Sequence, residues 1–300
     1  MATLTAPYSP AEKSTMFSEA VVFRGDGEPK SPELMVRRLA QIADRDGIEA
    51  DNYSIGGVVE AVERRMAETL GKEAAVFMST GTLANHLAIR NQCGTNPRAI
   101  VQEQSHIYHD IGDCVQRLSG INLMPLAHER PYFTLDEVKS AVETAVGGRV
   151  LTPVGALVIE SPVRRQHGQI MPFDVMKQIT EYCSERSIRT HLDGARLFMM
   201  SATTGISPAE YASLFDTVYV SLYKYFGAPF GAILAGTEEF CRNLYHDRRM
   251  FGGGLSSASL AAALALEGME GFEERFARAM SKAGELFVEL NQLRGINVKV

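Results

Sequence analysis

Residues 215–234 read FDTVYVSLYKYFGAPFGAIL, a run of branched and aromatic residues that ends on one cation, Lys224, between Tyr223 and Tyr225. TVYVSL (217–222) is short and apolar throughout, the pattern of a strand covered on both faces, and GAILAG (231–236) repeats it after a Gly227-Ala228-Pro229 turn. A lysine at the end of such a strand is costly to bury as an ammonium. Its pKa falls readily, so the amine becomes nucleophilic and able to form a Schiff base. A lysine snorkelling to the surface is the alternative, and it fits less well because a second buried strand follows at once.

The same strand pattern recurs upstream in AAVFM (74–78), RAIVQ (98–102), INLMPL (121–126), VGALVIE (154–160) and IRTHLD (188–193). Helical patterns lie between, as in GGVVEAVERRMAETLGK (56–72), where Val59, Val62, Met66 and Leu70 share one face and read as core packing. The alternation predicts an α/β fold, an open and mainly parallel sheet with helices on both faces, whose ligands bind beyond the carboxyl ends of the strands. From about Ser256 the pattern turns helical, and RGINVKV (294–300) reads as one strand with nothing to pair with. The expected organisation is an N-terminal segment (1–30), a large α/β domain (31–255) and the start of a smaller C-terminal α/β domain (256–300) that is incomplete.

With 300 residues, 45% of them hydrophobic, the chain can bury one substantial core. A net charge of −6, spread along the chain, leaves no basic surplus and argues against a nucleic-acid partner. Cys93, Cys114, Cys183 and Cys241 are far apart, with neither zinc-site nor disulfide-framework spacing. There is no signal-peptide pattern and no apolar run long enough to span a membrane. A protein of the reducing cytoplasm without a membrane partner is expected.

Four strand ends carry complementary polar groups. STGTLANHLAIR (79–90) follows AAVFM and opens an apolar helix whose unpaired N–H groups could receive a phosphate; a simple N-cap by Ser79 or Thr80 would need no ligand. EQSHIYHDIGD (103–113) holds His106, His109 and Asp110, which lack the further ligands a metal site needs, while an imidazole face could stack on a planar ring. Asp193 and Arg196, in DGAR (193–196), place an anion and a cation at one edge, as a site or as a plain ion pair. With Lys224 these form a parts list for pyridoxal 5′-phosphate: a phosphate cradle, a ring stacker, an anion for the pyridine nitrogen and a lysine for the aldehyde.

LGKEAAVFMSTGTLANHLAI (70–89), SHIYHDIG (105–112), HLDGARLF (191–198), SLYKYFGAPFGAILAG (221–236) and RRMFGGG (248–254) resemble the threonine aldolase and β-eliminating lyase group of fold-type I pyridoxal-phosphate enzymes, from about Phe23 to Val300. The resemblance implies that Lys224 carries the cofactor, Asp193 meets its pyridine nitrogen and His106 stacks on its ring. It likewise assigns Ser79, Gly81 and Thr82 to the phosphate, Arg196 to the substrate carboxylate, and Arg249 to a phosphate across a subunit interface. Tyr53, in DNYSIGG (51–57), would approach the neighbouring site. A homodimer or homotetramer is therefore implied.

Three departures concern the substrate rather than the cofactor. RGDG (24–27) has Gly25 where the family has a serine, ESPVR (160–164) has Val163 where a histidine is expected near the β-hydroxyl, and the family's second carboxylate-binding arginine lies beyond residue 300. Arg164, Arg165 or His167 could supply the missing contacts, although surface exposure suits them better. The expected reaction is cleavage of the Cα–Cβ bond of a β-hydroxy-α-amino acid to glycine and an aldehyde, with His106 or a held water as base. The alternatives are β-elimination from a β-substituted amino acid and a non-catalytic cofactor-binding homologue.

Overall fold

The structure is a computed structural model in which residues 26–27 and 31–298 are described. Gly25 lies outside them, as do Lys299 and Val300. In chain order the elements are α1 (Pro32–Arg45), α2 (Gly57–Leu70), β1 (Ala74–Met78), α3 (Gly81–Cys93), β2 (Arg98–Gln102), α4 (His106–His109), α5 (Cys114–Ser119), β3 (Asn122–Leu126), α6 (Leu135–Val146) and β4 (Val154–Glu160). They continue with α7 (Phe173–Ser184), β5 (Arg189–Asp193), α8 (Leu197–Thr204), α9 (Pro208–Ser213), β6 (Thr217–Ser221), β7 (Ala232–Gly236), α10 (Glu238–Met250), α11 (Ser259–Met269) and α12 (Phe272–Leu290).

The seven strands form one sheet in the order β1-β7-β6-β5-β4-β2-β3. Strand β7 runs antiparallel to both its neighbours, and every other pairing is parallel. All seven residues of β4 are buried, as are all five in both β6 and β7, because helices cover both faces. Leu157, Ile159, Leu192 and Val220 join the core under α2, α7, α9 and α11, whereas Ala156, Val158, Tyr219 and Leu234 pack on the α3 side. The predicted α2 stripe is fully buried: Val59, Val62, Met66 and Leu70 are each 0% exposed, a burial that stabilises by about 2 kcal/mol per side chain.

Register places the functional edge. Met78 pairs with Ala232, Ala232 with Ser221, Tyr219 with Asp193, and Asp193 with Glu160. The carboxyl ends of β1, β6, β5 and β4 therefore lie along one edge of the sheet, where STGT leaves β1, Lys224 follows β6 and DGAR leaves β5, while the His106 motif follows β2, next to β4.

The expected terminal strand does not form within 294–298. Instead Val298 donates its N–H to Asn291 Oδ1 at 2.7 Å, folding the segment back onto the end of α12, and among the described residues no strand pairs with it. Cys93, Cys183 and Cys241 are buried free thiols and Cys114 is a half-buried one. Among the described residues no helix is long and apolar enough to cross a membrane.

Candidate active site

The turn after β1 enters α3 through Thr80, whose Oγ1 accepts the N–H of Leu83 at 3.1 Å. The plain N-cap is thus real, and it does not use up the helix start: the Gly81 and Thr82 amides precede any intrahelical carbonyl partner and point to the positive end of the dipole. Gly81 is fixed by close approach, since a Cβ there would stand 2.1 Å from the hydroxyl of Tyr219 on β6. Any larger residue would push the helix start away from the sheet.

One turn into α3, Asn85 is fully buried and its Nδ2 donates to Asp193 Oδ2 at 2.7 Å. The other carboxylate oxygen, Oδ1, accepts the Ala195 N–H at 3.2 Å. Behind Asn85 lies His191, on the same face of β5 as Asp193. Its Nε2 is 2.9 Å from Asn85 Oδ1 and its Nδ1 is 2.8 Å from Thr217 Oγ1. Complete burial pushes the His191 imidazole down to about 4, so the ring is neutral.

Glu160, ending β4 beside Asp193, is 3% exposed and accepts two backbone N–H groups, from His106 at 2.5 Å and Arg164 at 3.1 Å. Burial first, and Asp193 second, push its carboxyl up to about 7, with the two amides opposing them. His106 opens α4, with its Nδ1 3.4 Å from Asp110 Oδ2. Asp110 in turn accepts from Arg164 Nη2 at 2.6 Å and Arg165 Nη2 at 2.8 Å. Partial burial works against that charge, but the bonds from Arg165 and Arg164 outweigh it and hold Asp110 at about 2. Both arginines are exposed and turn to Asp110, and His167 is exposed, so none of the three replaces the histidine expected at Val163, itself fully buried.

Lys224 follows β6 in the turn toward β7 and is half-buried. Burial lowers its pKa, Asp193 acts against that shift, and Arg196 reinforces it. Arg196 forms a two-pronged ion pair with Asp26, Nε to Oδ1 at 2.7 Å and Nη2 to Oδ2 at 2.9 Å. Burial opposes its charge and Asp26 more than restores it. The next residue, Gly27, has φ +76°, and a Cβ there would stand 2.5 Å from the Lys224 carbonyl oxygen, so Asp26–Gly27 lies directly along the lysine turn. Lys224, Tyr223 and Tyr225 also line a cavity of about 530 Å³ bounded by α1, α11 and α12.

Arg249 and Tyr53 meet each other at the surface, the guanidinium 4.1 Å from the ring centroid of a Tyr53 that is 44% exposed. Its neighbour Arg248 does the opposite: it is 2% exposed and donates to the carbonyls of Phe77 and Ser54, tying the segment around Tyr53 to β1.

Lys224, Asp193, Arg196 and His106 therefore converge on one sheet edge with the Gly81–Thr82 helix start. Sequence reading passed over Asp26, Asn85, Glu160 and His191. The signals were there: Asn85 is a polar residue among the apolar Leu83, Ala84, Leu87 and Ala88 of α3, and His191 stands two residues before Asp193, on the same strand face.

Compared with known proteins, residues 25–300 match the family profile described as beta-eliminating lyase. A low-specificity L-threonine aldolase of Candida albicans is 34% identical over 213 residues, covering 70% of this chain and 56% of that protein. An alanine racemase of Cochliobolus carbonum is 31% identical over 210 residues, covering 69% and 53%. The solved structure of a candidate L-allo-threonine aldolase of Listeria monocytogenes superposes with a TM-score of 0.80 at 33% identity, covering 90% of this chain and 73% of that one. The chain spans little more than half the length of the curated relatives it matches.

Proposed function

Because the chain belongs to the beta-eliminating lyase family, we propose that it acts as a pyridoxal 5′-phosphate-dependent lyase, cleaving the Cα–Cβ bond of a β-hydroxy-α-amino acid to glycine and an aldehyde. One observation carries the reading: a half-buried lysine following a strand end, its ammonium disfavoured by burial, lies within electrostatic reach of a buried aspartate at the end of the neighbouring strand. The residues fit the cofactor. Gly81 and Thr82 offer amides for a phosphate at the start of α3, Asp193 offers a buried anion for a pyridinium, and Lys224 offers the amine. When bound, the group supplies an aldehyde for the lysine and a protonated ring that takes up the electrons of the breaking bond.

The chain's own groups supply the rest. Ser79 joins the phosphate contacts, and His106 lies against the ring. With Nδ1 directed at Asp110, His106 keeps a lone pair on Nε2, where it can take the proton of the β-hydroxyl. Arg196, its fork set by Asp26, grips the substrate carboxylate. Tyr53 and Arg249 form a surface that we assign to the contact between subunits of a homodimer or homotetramer, with Arg249 reaching the neighbour's phosphate. The free cysteines support the expected reducing cytoplasm.

A second reading, β-elimination to a keto acid and ammonia, is favoured by Val163, which puts a buried apolar side chain where a hydroxyl-side histidine was expected. Incubation with L-threonine, L-allo-threonine, L-serine and L-cysteine separates the two. Glycine with acetaldehyde from the threonines supports aldol cleavage, and keto acid with ammonia supports elimination. Neither product pair from any substrate would contradict the assignment as a lyase.

A further inference from the structure

Asp193 is the last member of a buried hydrogen-bonded chain. Gln92 Nε2 donates to Thr217 Oγ1 at 2.6 Å, Thr217 Oγ1 lies 2.8 Å from His191 Nδ1, His191 Nε2 lies 2.9 Å from Asn85 Oδ1, and Asn85 Nδ2 reaches Asp193 Oδ2 at 2.7 Å. Asn85 and His191 are 0% exposed and Thr217 is 2% exposed, so solvent does not reach the bonds linking His191, Asn85 and Asp193, while Gln92, half-buried, closes the chain on its outer side.

With a neutral imidazole, one arrangement of protons satisfies every pair. A carboxylate accepts only, so Asn85 must turn its amide N–H toward Asp193 and its carbonyl toward His191. That carbonyl needs a donor, so the neutral imidazole carries its proton on Nε2. Nδ1 is then an acceptor and takes the Thr217 hydroxyl proton, and Thr217 accepts from Gln92. Reversing any link places two acceptors face to face in a dry interior, where an unmade bond is expensive.

We propose that His191 and Asn85 are positioning residues for Asp193: this one-way relay orients the Asp193 carboxylate toward the cofactor pocket before any cofactor arrives. The proposal rests on the reading of Asp193 as the partner of the ring nitrogen. It adds that α3 acts as a ruler. Gly81 and Thr82 at its start and Asn85 one turn later fix the spacing between the phosphate cradle and the carboxylate, because one rigid helix carries both.

Two measurements test it. In the protein without cofactor, ¹⁵N correlation spectra of its histidines, with His191→Phe used for assignment, should show His191 as the neutral Nε2–H tautomer from pH 5 to pH 8, as follows from about 4 for its pKa. An Nδ1–H or protonated ring would overturn the relay. Second, pyridoxal 5′-phosphate is titrated into wild type, His191→Phe and His191→Gln, following the visible absorbance band, with circular dichroism to verify folding. Glutamine can place an amide N–H near the lost Nε2–H, whereas phenylalanine cannot. The expectation is binding weakened about ten- to hundredfold with a displaced band in His191→Phe, and substantial recovery of both in His191→Gln. If both folded variants bind as wild type does, or are impaired alike, the positioning role is wrong. If wild type itself binds no pyridoxal 5′-phosphate, the cofactor reading fails instead, while the tautomer still decides the relay.

Discussion

Asp193 and Glu160 end neighbouring parallel strands in register, and both are buried, yet they are held by different parts of the molecule. Asp193 is gripped by a side chain, Asn85, and one adjacent amide. Glu160 is gripped by two backbone amides, those of His106 and Arg164, and so ties together the two loops that border the site. The first arrangement fixes one charge, which Lys224, His191 and Glu160 all feel. The second fixes two stretches of chain. On the proposed function, adjacent carboxyl groups thus serve different purposes: Asp193 takes part in the chemistry, and Glu160 holds the geometry around it.

Substituting each residue in turn breaks the comparison most sharply. Asp193→Ala should lower kcat by about a thousandfold in a steady-state assay of the reconstituted protein. Glu160→Ala should instead act mainly on folding. It strands the His106 and Arg164 amides, and urea unfolding should show a loss of about 3 kcal/mol. Equal effects on activity from the two substitutions would erase the distinction.

The pH dependence of stability sharpens it. The Glu160 carboxyl is raised in the fold from an ordinary 4.5 to about 7, so its contribution is fully present below 4.5 and is lost as pH rises toward 7. His191 runs the other way. Its pKa is depressed from 6.5 to about 4, so its contribution is present above 6.5 and is lost as pH falls toward 4. Glu63, also raised to about 7 by burial, shares the sign of Glu160. Urea unfolding between pH 4 and pH 8 should therefore lose part of its neutral-side decline in Glu160→Gln and part of its acid-side decline in His191→Phe.

The smallest effect is expected where neither carboxyl is involved. Tyr53→Ala removes an exposed cation–π contact and should cost about 0.5–1 kcal/mol of stability at most. If Tyr53 and Arg249 form a subunit contact, the same change should shift the oligomer toward smaller species in sedimentation at low protein concentration.

Asp193 was legible in the sequence because its signal is local: a charged residue ends an apolar strand, with glycine and arginine following within three positions. The same logic found the position of Lys224 and all seven strands: β4, β6 and β7 are buried on both faces and announce themselves by continuous apolar runs, and the edge strand β3 is short and apolar in text although partly exposed. Glu160 was not legible in that way. It ends VGALVIE just as Asp193 ends IRTHLD, but its partners are amides 54 residues before it and four after it, and backbone amides leave no mark in a sequence. Asp26 was hidden for a related reason: its partner, Arg196, is 170 residues away. RGINVKV reads as a strand with nothing to pair with, and within the described 294–298 no strand forms, because a strand needs a neighbour and Val298 N–H instead bonds Asn291 Oδ1.

Everything about the site depends on Lys224 being the residue that holds the cofactor. The direct measurement is to reconstitute the purified protein with pyridoxal 5′-phosphate, reduce it with borohydride, digest it and locate the pyridoxyl group by mass spectrometry. The account predicts a single modified peptide carrying the group on Lys224, absent in Lys224→Ala. Attachment to another lysine, or no stoichiometric attachment at all, would contradict it.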